Sequence, residues 1–176
     1  EIWQYIKDHD NGITNFHFEI AADLTTKEEL ELMKTMRPGL IQLEIGVQST
    51  NEKTLETIIE KTISEADAVA SFTWQGGEPT LRGIDFFEKA VALQKKYKQQ
   101  YKRNNLHIMN SFQTNGYELD RQWAKFFKRN QFLVGLSIDG FPEIHDLLRR
   151  GKDGSKSFFR VKQAADLLDQ YQVDYN

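Results

Sequence analysis

The stretch Ala68-Val69-Ala70-Ser71-Phe72-Thr73-Trp74-Gln75-Gly76-Gly77-Glu78-Pro79-Thr80-Leu81 changes character halfway along. Up to Trp74 it is apolar and rich in β-formers, as a buried strand is. Gln75 to Pro79 cannot continue that strand, because glycine weakens the ladder and proline has no N–H to give it. The chain therefore turns there. Beyond the turn, Phe86, Ala90, Leu93 and Tyr97 recur at helical spacing. The unit is strand, tight turn with one carboxylate, helix.

The same unit repeats in both directions. Toward the C-terminus, His107 to Gln113 reads as a strand closed by Asn115-Gly116, and Leu119, Trp123, Phe126 and Phe127 mark the next helix. Phe132 to Ile138 is a further strand closed by Asp139-Gly140. Val161, Ala165 and Leu168 mark the last helix, and Val173 to Tyr175 begins another strand. Toward the N-terminus, Phe16 to Ala21 is the first strand. Thr26 and Glu29 form a capping box for a helix carrying Leu30, Met33 and Met36, which Pro38-Gly39 stops. Leu40 to Val47 follows as a strand interrupted by Gln42 and Glu44. Asn51 then caps a helix with Leu55, Ile58, Ile59 and Ile63 on one face. Such alternation predicts an α/β fold of repeated βα units, a single domain over residues 1–176. The expected form is a partial, open TIM-like barrel of about six parallel strands.

Composition narrows the function. The 176 residues are 39% hydrophobic and 28% charged, enough for a globular core. With 23 Lys and Arg against 26 Asp and Glu, the net charge is -3, which lacks the basic surplus of a nucleic-acid binder. No apolar run nears the roughly 20 residues of a membrane span, and no signal-peptide pattern opens the chain, so a cytoplasmic protein is expected. The chain begins at Glu1 and ends on an expected strand, which fits an excised piece. It contains no cysteine, so it offers no disulfide, thiolate zinc site, thiol nucleophile or ordinary iron–sulfur ligation. Lys95, Lys96, Lys98, Lys102 and Arg103 read as a solvated face at a helix C-terminus, and Trp3, Trp123 and the Phe pairs as core.

In folds of this class, chemistry gathers where strands pass into βα loops. The polar residues at those ends are Glu19 and Asp23, then Gln48 and Ser49, Glu78, Asn115, and Ser137 with Asp139. Taken alone, each has an ordinary reading. Gly-Gly-Glu-Pro makes a tight turn, Asp139-Gly140 another, and Arg149 a surface arginine. No P-loop, Ser–His–Asp spacing or zinc pattern is present.

Taken in order, Phe72 to Leu81, Gln113-Thr114-Asn115-Gly116, Gly135-Leu136-Ser137-Ile138-Asp139-Gly140, and His145-Asp146 with Arg149 resemble the anaerobic sulfatase-maturating enzymes of the radical SAM superfamily. The resemblance covers Ala68 to Asn176. It implies S-adenosylmethionine and 4Fe–4S clusters, used to oxidise a Cys or Ser side chain of a peptide to formylglycine. It further implies that Gly76, Gly77 and Glu78 meet the methionine ammonium through backbone carbonyls and the carboxylate. Ser137 would bond the ribose, Arg149 would face the methionine carboxylate, and Gln113 and Asn115 would line the pocket near the substrate. Phe16 to Leu24, Met36 to Leu40 and Glu44 to Asn51 resemble instead the cobalamin-domain radical SAM proteins, over Ile2 to Ile59. That resemblance places Glu19 and Gln48 beside the bound S-adenosylmethionine.

Three departures qualify these implications. The Cys-x-x-x-Cys-x-x-Cys loop of both families is missing, and His9, His17, His107 and His145 cannot replace three thiolates at that spacing. Strands three and four of the family order occur twice, which points to a chimera of fragments 1–62 and 68–176 with a seam in 60–67. The regions that hold auxiliary clusters are absent. The expected function is thus a radical SAM-like domain with a weak residual S-adenosylmethionine pocket and no cluster. One alternative is an engineered or chimeric structural scaffold with no ligand. Another is a magnesium or manganese site built from Glu19, Asp23, Glu78 and Asp139, although no Asp-x-Asp spacing supports it. Open sheet edges would favour a homo-oligomer.

Overall fold

Strands and helices alternate through the computed structural model, which describes residues 2–21, 26–46, 51–151 and 153–176. Asp23, Gln48 and Ser49 lie outside the described residues. The chain divides into two compact units, Glu1–Ser49 and Thr50–Asn176. This division falls before the 60–67 stretch in which a seam is expected from the sequence.

The first unit runs α1 (Ile2–Asp8), β1 (Phe16–Ala21), α2 (Lys27–Lys34) and β2 (Ile41–Gly46). β1 and β2 pair in parallel, from Phe16 opposite Ile41 to Ala21 opposite Gly46, which sets the backbone of Glu19 opposite that of Glu44. The capping box of α2 is formed: Glu29 N donates to Thr26 Oγ1 at 3.2 Å, and Thr26 N donates to Glu29 Oε2 at 2.9 Å. Trp3, Ile6 and Leu40 make the small core, with Phe18, Leu32, Met33 and Met36 against it. α1 has no forecast in the sequence, since only Trp3 and Ile6 of its seven residues are buried and no cap residue announces it.

The second unit opens with α3 (Glu52–Glu65), which Asn51 caps by accepting from Lys53 N and Thr54 N. β3 (Val69–Trp74), a 3-10 turn at Pro79–Arg82 and α4 (Ile84–Gln100) complete one βα unit. β4 (His107–Thr114), α5 (Arg121–Asn130), β5 (Phe132–Leu136), α6 (Pro142–Leu148) and α7 (Phe158–Gln170) follow. The sheet order is β3-β4-β5, all parallel. Leu55, Ile59 and Ile63 of α3 pack with Ala70 and Phe72 of β3 and with Ala90 and Tyr97 of α4. The larger cluster centres on Phe112, with Phe87, Trp123, Phe126, Phe127, Phe132 and Val134 around it. A buried polar tie joins the two βα units: the Gln94 and Asn110 amides bond each other reciprocally at 2.9 and 3.0 Å, and Trp74 Nε1 donates to Asn110 Oδ1 at 2.9 Å. Every member of that network is satisfied, the condition under which buried polar groups fix a register.

The parallel α/β architecture expected from the sequence is present. Among the described residues there is a two-stranded parallel sheet in the first unit and a three-stranded one in the second. Beyond α7, Tyr175 pairs in parallel beside Val134 of β5: Val134 N donates to Asp174 O at 2.9 Å, Asn176 N to Val134 O at 3.0 Å and Leu136 N to Asn176 O at 2.9 Å. Val173 to Tyr175 is where the sixth strand is expected to begin. β5 also stops at Leu136 rather than Ile138. Ser137 N still reaches Thr114 O at 2.9 Å, but the next available amide, Asp139 N, leaves the ladder for His145 Nδ1.

Candidate functional site at the ends of strands β3 to β5

Gly76 and Gly77 follow β3 at φ +113° and +58°. Both angles lie in the region where an L side chain is strained, so the turn requires glycine there. An added Cβ would meet nothing within 4 Å at either position, so the pair lines open space. The turn delivers Glu78 to the end of β4. Its Oε1 accepts from Thr80 N at 3.1 Å, Thr80 Oγ1 at 2.7 Å and Thr114 Oγ1 at 2.8 Å; its Oε2 accepts from Asn115 N at 2.8 Å. One carboxylate thus pins the loop after β3 to the loop after β4. Thr80 and Thr114, both buried, carry that link and are not evident in the sequence.

Gln113 and Ser137 meet directly, Nε2 donating to Oγ at 3.0 Å across β4 and β5. Gly135 makes this contact fit, because a Cβ there would stand 2.1 Å from Gln113 Oε1. Asn115 spends its side chain on an Asx turn, accepting from Tyr117 N at 2.9 Å. Asp139 and Arg149 form a bidentate pair, Nε to Oδ2 at 2.6 Å and Nη2 to Oδ1 at 3.2 Å. The Arg149 hydrogen bond holds the Asp139 carboxyl below the usual carboxylate range, against the opposing effect of partial burial.

Of the expected site residues, Gly76, Gly77, Glu78, Gln113, Asn115 and Ser137 come to the C-terminal ends of one three-stranded sheet, and Arg149, at the end of α6, is tied to the loop after β5 by Asp139. Glu19 lies on β1 in the other unit, and Gln48 is outside the described residues. Of the carboxylates expected to form a metal site, Asp23 lies outside the described residues, and among the described residues no group of three or more His, Asp or Glu side chains is gathered to hold an ion. Glu78 and Asp139 are each engaged by protein donors instead. No described helix is long and apolar enough to cross a membrane.

Behind Arg149, Asp146 accepts from Ser157 N and Phe158 N, both at 2.9 Å, and so caps α7 from a distance. Those two bonds, with Phe158 the larger, hold its carboxyl below the ordinary range although burial opposes them. A carboxylate also suits the positive end of a helix. Because the folded-state pKa lies under the unfolded one, about 3.9, its contribution is complete above that value and is lost as pH falls through the folded pKa. Asp146→Asn should therefore be less stable than the parent at neutral pH, with the gap closing in acid. Urea midpoints at about pH 7 and pH 3 check this; a gap that widens in acid contradicts it.

The pattern defining the radical SAM superfamily matches residues 53–175. The chain belongs to the radical SAM superfamily. A cysteine-type anaerobic sulfatase-maturating enzyme of Clostridium perfringens is 48% identical over 125 residues, which is 71% of this chain and 33% of that relative. A serine-type anaerobic sulfatase-maturating enzyme of Bacteroides thetaiotaomicron is 41% identical over 127 residues, 72% of this chain and 30% of that relative. Among solved structures, native anSMEcpe with bound AdoMet and the Kp18Cys peptide superimposes with a TM-score of 0.68 at 46% identity. It covers 72% of this chain and 34% of that one. This radical SAM chain therefore spans about a third of the length of the relatives it matches.

Proposed function

We propose that this radical SAM chain carries a residual S-adenosylmethionine site at the ends of β3 to β5, related to the site of enzymes that convert a peptide Cys or Ser to formylglycine. The observation that carries the reading is the open glycine turn at Gly76 and Gly77 beside Glu78, with Gln113, Asn115 and Ser137 on the neighbouring strand ends and Arg149, after α6, paired with Asp139. The residues suit the ligand. Glu78 Oε2 accepts one bond from Asn115 N, which leaves that oxygen room for an ammonium donor. Asp139 engages two of the five donors of the Arg149 guanidinium, leaving capacity for a ligand carboxylate. The Ser137 hydroxyl takes the ribose. The bound structure neighbour, with its AdoMet and its Cys peptide, supports both ligand and peptide substrate class.

An iron–sulfur cluster does not fit these residues. Reductive cleavage of S-adenosylmethionine needs an electron donor, and the 176 residues contain no cysteine to hold a cluster, so no redox step is assigned to them. Binding without that metal chelate is weak. The same reading takes residues 2–59, with Glu19 and Gln48, as a second radical SAM-like piece joined to the first in a chimera; the parallel pairing of β1 with β2 supports a βα unit in that piece.

One observation favours a second reading, a scaffold with no ligand: Glu78, Asn115 and Asp139 all have protein partners already. Calorimetric titration of S-adenosylmethionine into the chain, beside a Glu78→Gln, Arg149→Gln double variant, separates the two. The site reading expects saturable weak binding that falls about a hundredfold in the variant, the loss of two charge-assisted contacts. No binding to the parent supports the scaffold.

A further inference from the structure

His145 is fully buried at the start of the last turn of α6 and belongs to no part of the site described above. Its bonds fix its protonation pattern. Asp139 N, which can only donate, points at Nδ1 at 3.2 Å, so Nδ1 carries the lone pair. Ser157 Oγ donates to Arg149 O at 2.8 Å and so accepts from Nε2–H at 3.0 Å. The relay has one direction: Asp139 N–H to Nδ1, Nε2–H to Ser157 Oγ, Ser157 O–H to Arg149 C=O. The His145 carbonyl also accepts from Arg149 N at 2.7 Å. Both backbone groups of Arg149 and the backbone amide of Asp139 are thereby tied to one residue.

We infer that His145 is the positioning residue of the Asp139–Arg149 pair, holding one partner through Nδ1 and the other through Ser157. The pair needs such a device because its own side chains are partly exposed and their ion pair alone fixes little in water. Asp139 leaves β5 where the ladder ends, and Arg149 follows the end of α6. Each would otherwise sit on a mobile connection. Asp146 anchors Ser157 N at 2.9 Å, so the middle of the relay is itself fixed to the start of α7. Phe158 closes the other side, its ring meeting the imidazole edge at a centroid distance of 5.6 Å. For S-adenosylmethionine binding, the consequence rests on the proposed role of Arg149; the positioning of the pair does not.

The two nitrogens are separable by substitution. Asn places an acceptor near the Nδ1 position and nothing at Nε2, whereas Gln places a donor near Nε2 and nothing at Nδ1. In His145→Asn the Asp139 amide should keep its slow hydrogen exchange while the Arg149 Nε–H exchanges about tenfold faster. In His145→Gln the Asp139 amide should be the one that accelerates, by a similar factor, as one hydrogen bond is worth. Nitrogen NMR of the parent should show His145 protonated at Nε2 alone. A side chain that merely fills space would loosen both ends alike in both variants, or neither, and either pattern overturns the proposal. If both variants fail to fold, Ser157→Ala decides. It should accelerate the Arg149 Nε–H and leave the Asp139 amide unchanged, and equal behaviour of the two refutes the relay. Titration of S-adenosylmethionine into Ser157→Ala completes the test. Where the parent binds, the variant should bind several-fold more weakly. Where the parent does not bind, the ligand reading fails while the exchange pattern still judges the positioning of the pair.

Discussion

Phe112→Ala should cost about 3–5 kcal/mol of folding stability, the largest effect expected of any single core truncation here. Phe112 is fully buried on the central strand β4. Its ring centroid lies 5.0 Å from Phe87, 4.9 Å from Phe127, 5.5 Å from Trp123 and 6.4 Å from Phe132. Removing it opens a cavity walled by four stiff rings on two helices and one strand, which cannot all move inward together. Edge contacts between rings add to the loss. A single domain holds about 5–15 kcal/mol in all, so the variant should unfold at a much lower urea concentration with an unchanged slope. Phe141→Ala is the control, since that ring is 72% exposed and its loss should stay within about 0.5 kcal/mol. Similar midpoints for the two variants would show that Phe112 is not the centre of the core.

The site shares this dependence, because Gln113 and Thr114 continue the strand directly beyond Phe112. Those parts of the site dictated by local backbone chemistry are readable in the sequence. Gly76-Gly77 before Glu78-Pro79 announces a turn, and the angles found there are ones glycine alone adopts readily. Thr26 with Glu29, and Asn51, announce helix starts that the structure forms as expected. The role of Gly135 within its strand, by contrast, has no forecast in the sequence; the structure shows that it admits the Gln113 side chain.

The unread remainder depends on residues far apart in the chain. Thr80 and Thr114 are separated by one strand and one helix, and only the fold brings their hydroxyls to the same carboxylate. Ser157 lies 12 residues from His145, and nothing in its local pattern marks it as the link to Arg149. α6 escaped notice for a different reason. Its apolar residues Ile144, Leu147 and Leu148 are exposed, so burial imposes no readable period on it. The grouping of the strands into sheets is hidden at the same level. Local pattern identifies each βα unit, but which strands share a sheet is decided by pairing between units.

Glu78 gives the second large effect, and it tests what its carboxylate is for. If that group served a ligand alone, replacing it would leave stability untouched. The geometry expects otherwise, since the carboxylate accepts from Thr80 N, Thr80 Oγ1, Thr114 Oγ1 and Asn115 N. In Glu78→Ala all four donors lose their acceptor while Thr80 and Thr114 remain buried. The hydroxyls can rotate and Asn115 can turn to water, so the total should be about 2–4 kcal/mol rather than the full sum. Glu78→Gln keeps an oxygen for the two threonines but presents an NH2 group to Asn115 N–H, where two donors then oppose each other. Its loss should be about 1 kcal/mol, one hydrogen bond. Urea midpoints should therefore fall in the order parent, Gln, Ala. Equal midpoints for all three would return Glu78 to a purely ligand-facing role, and the tie between the β3 and β4 loops would then need another source.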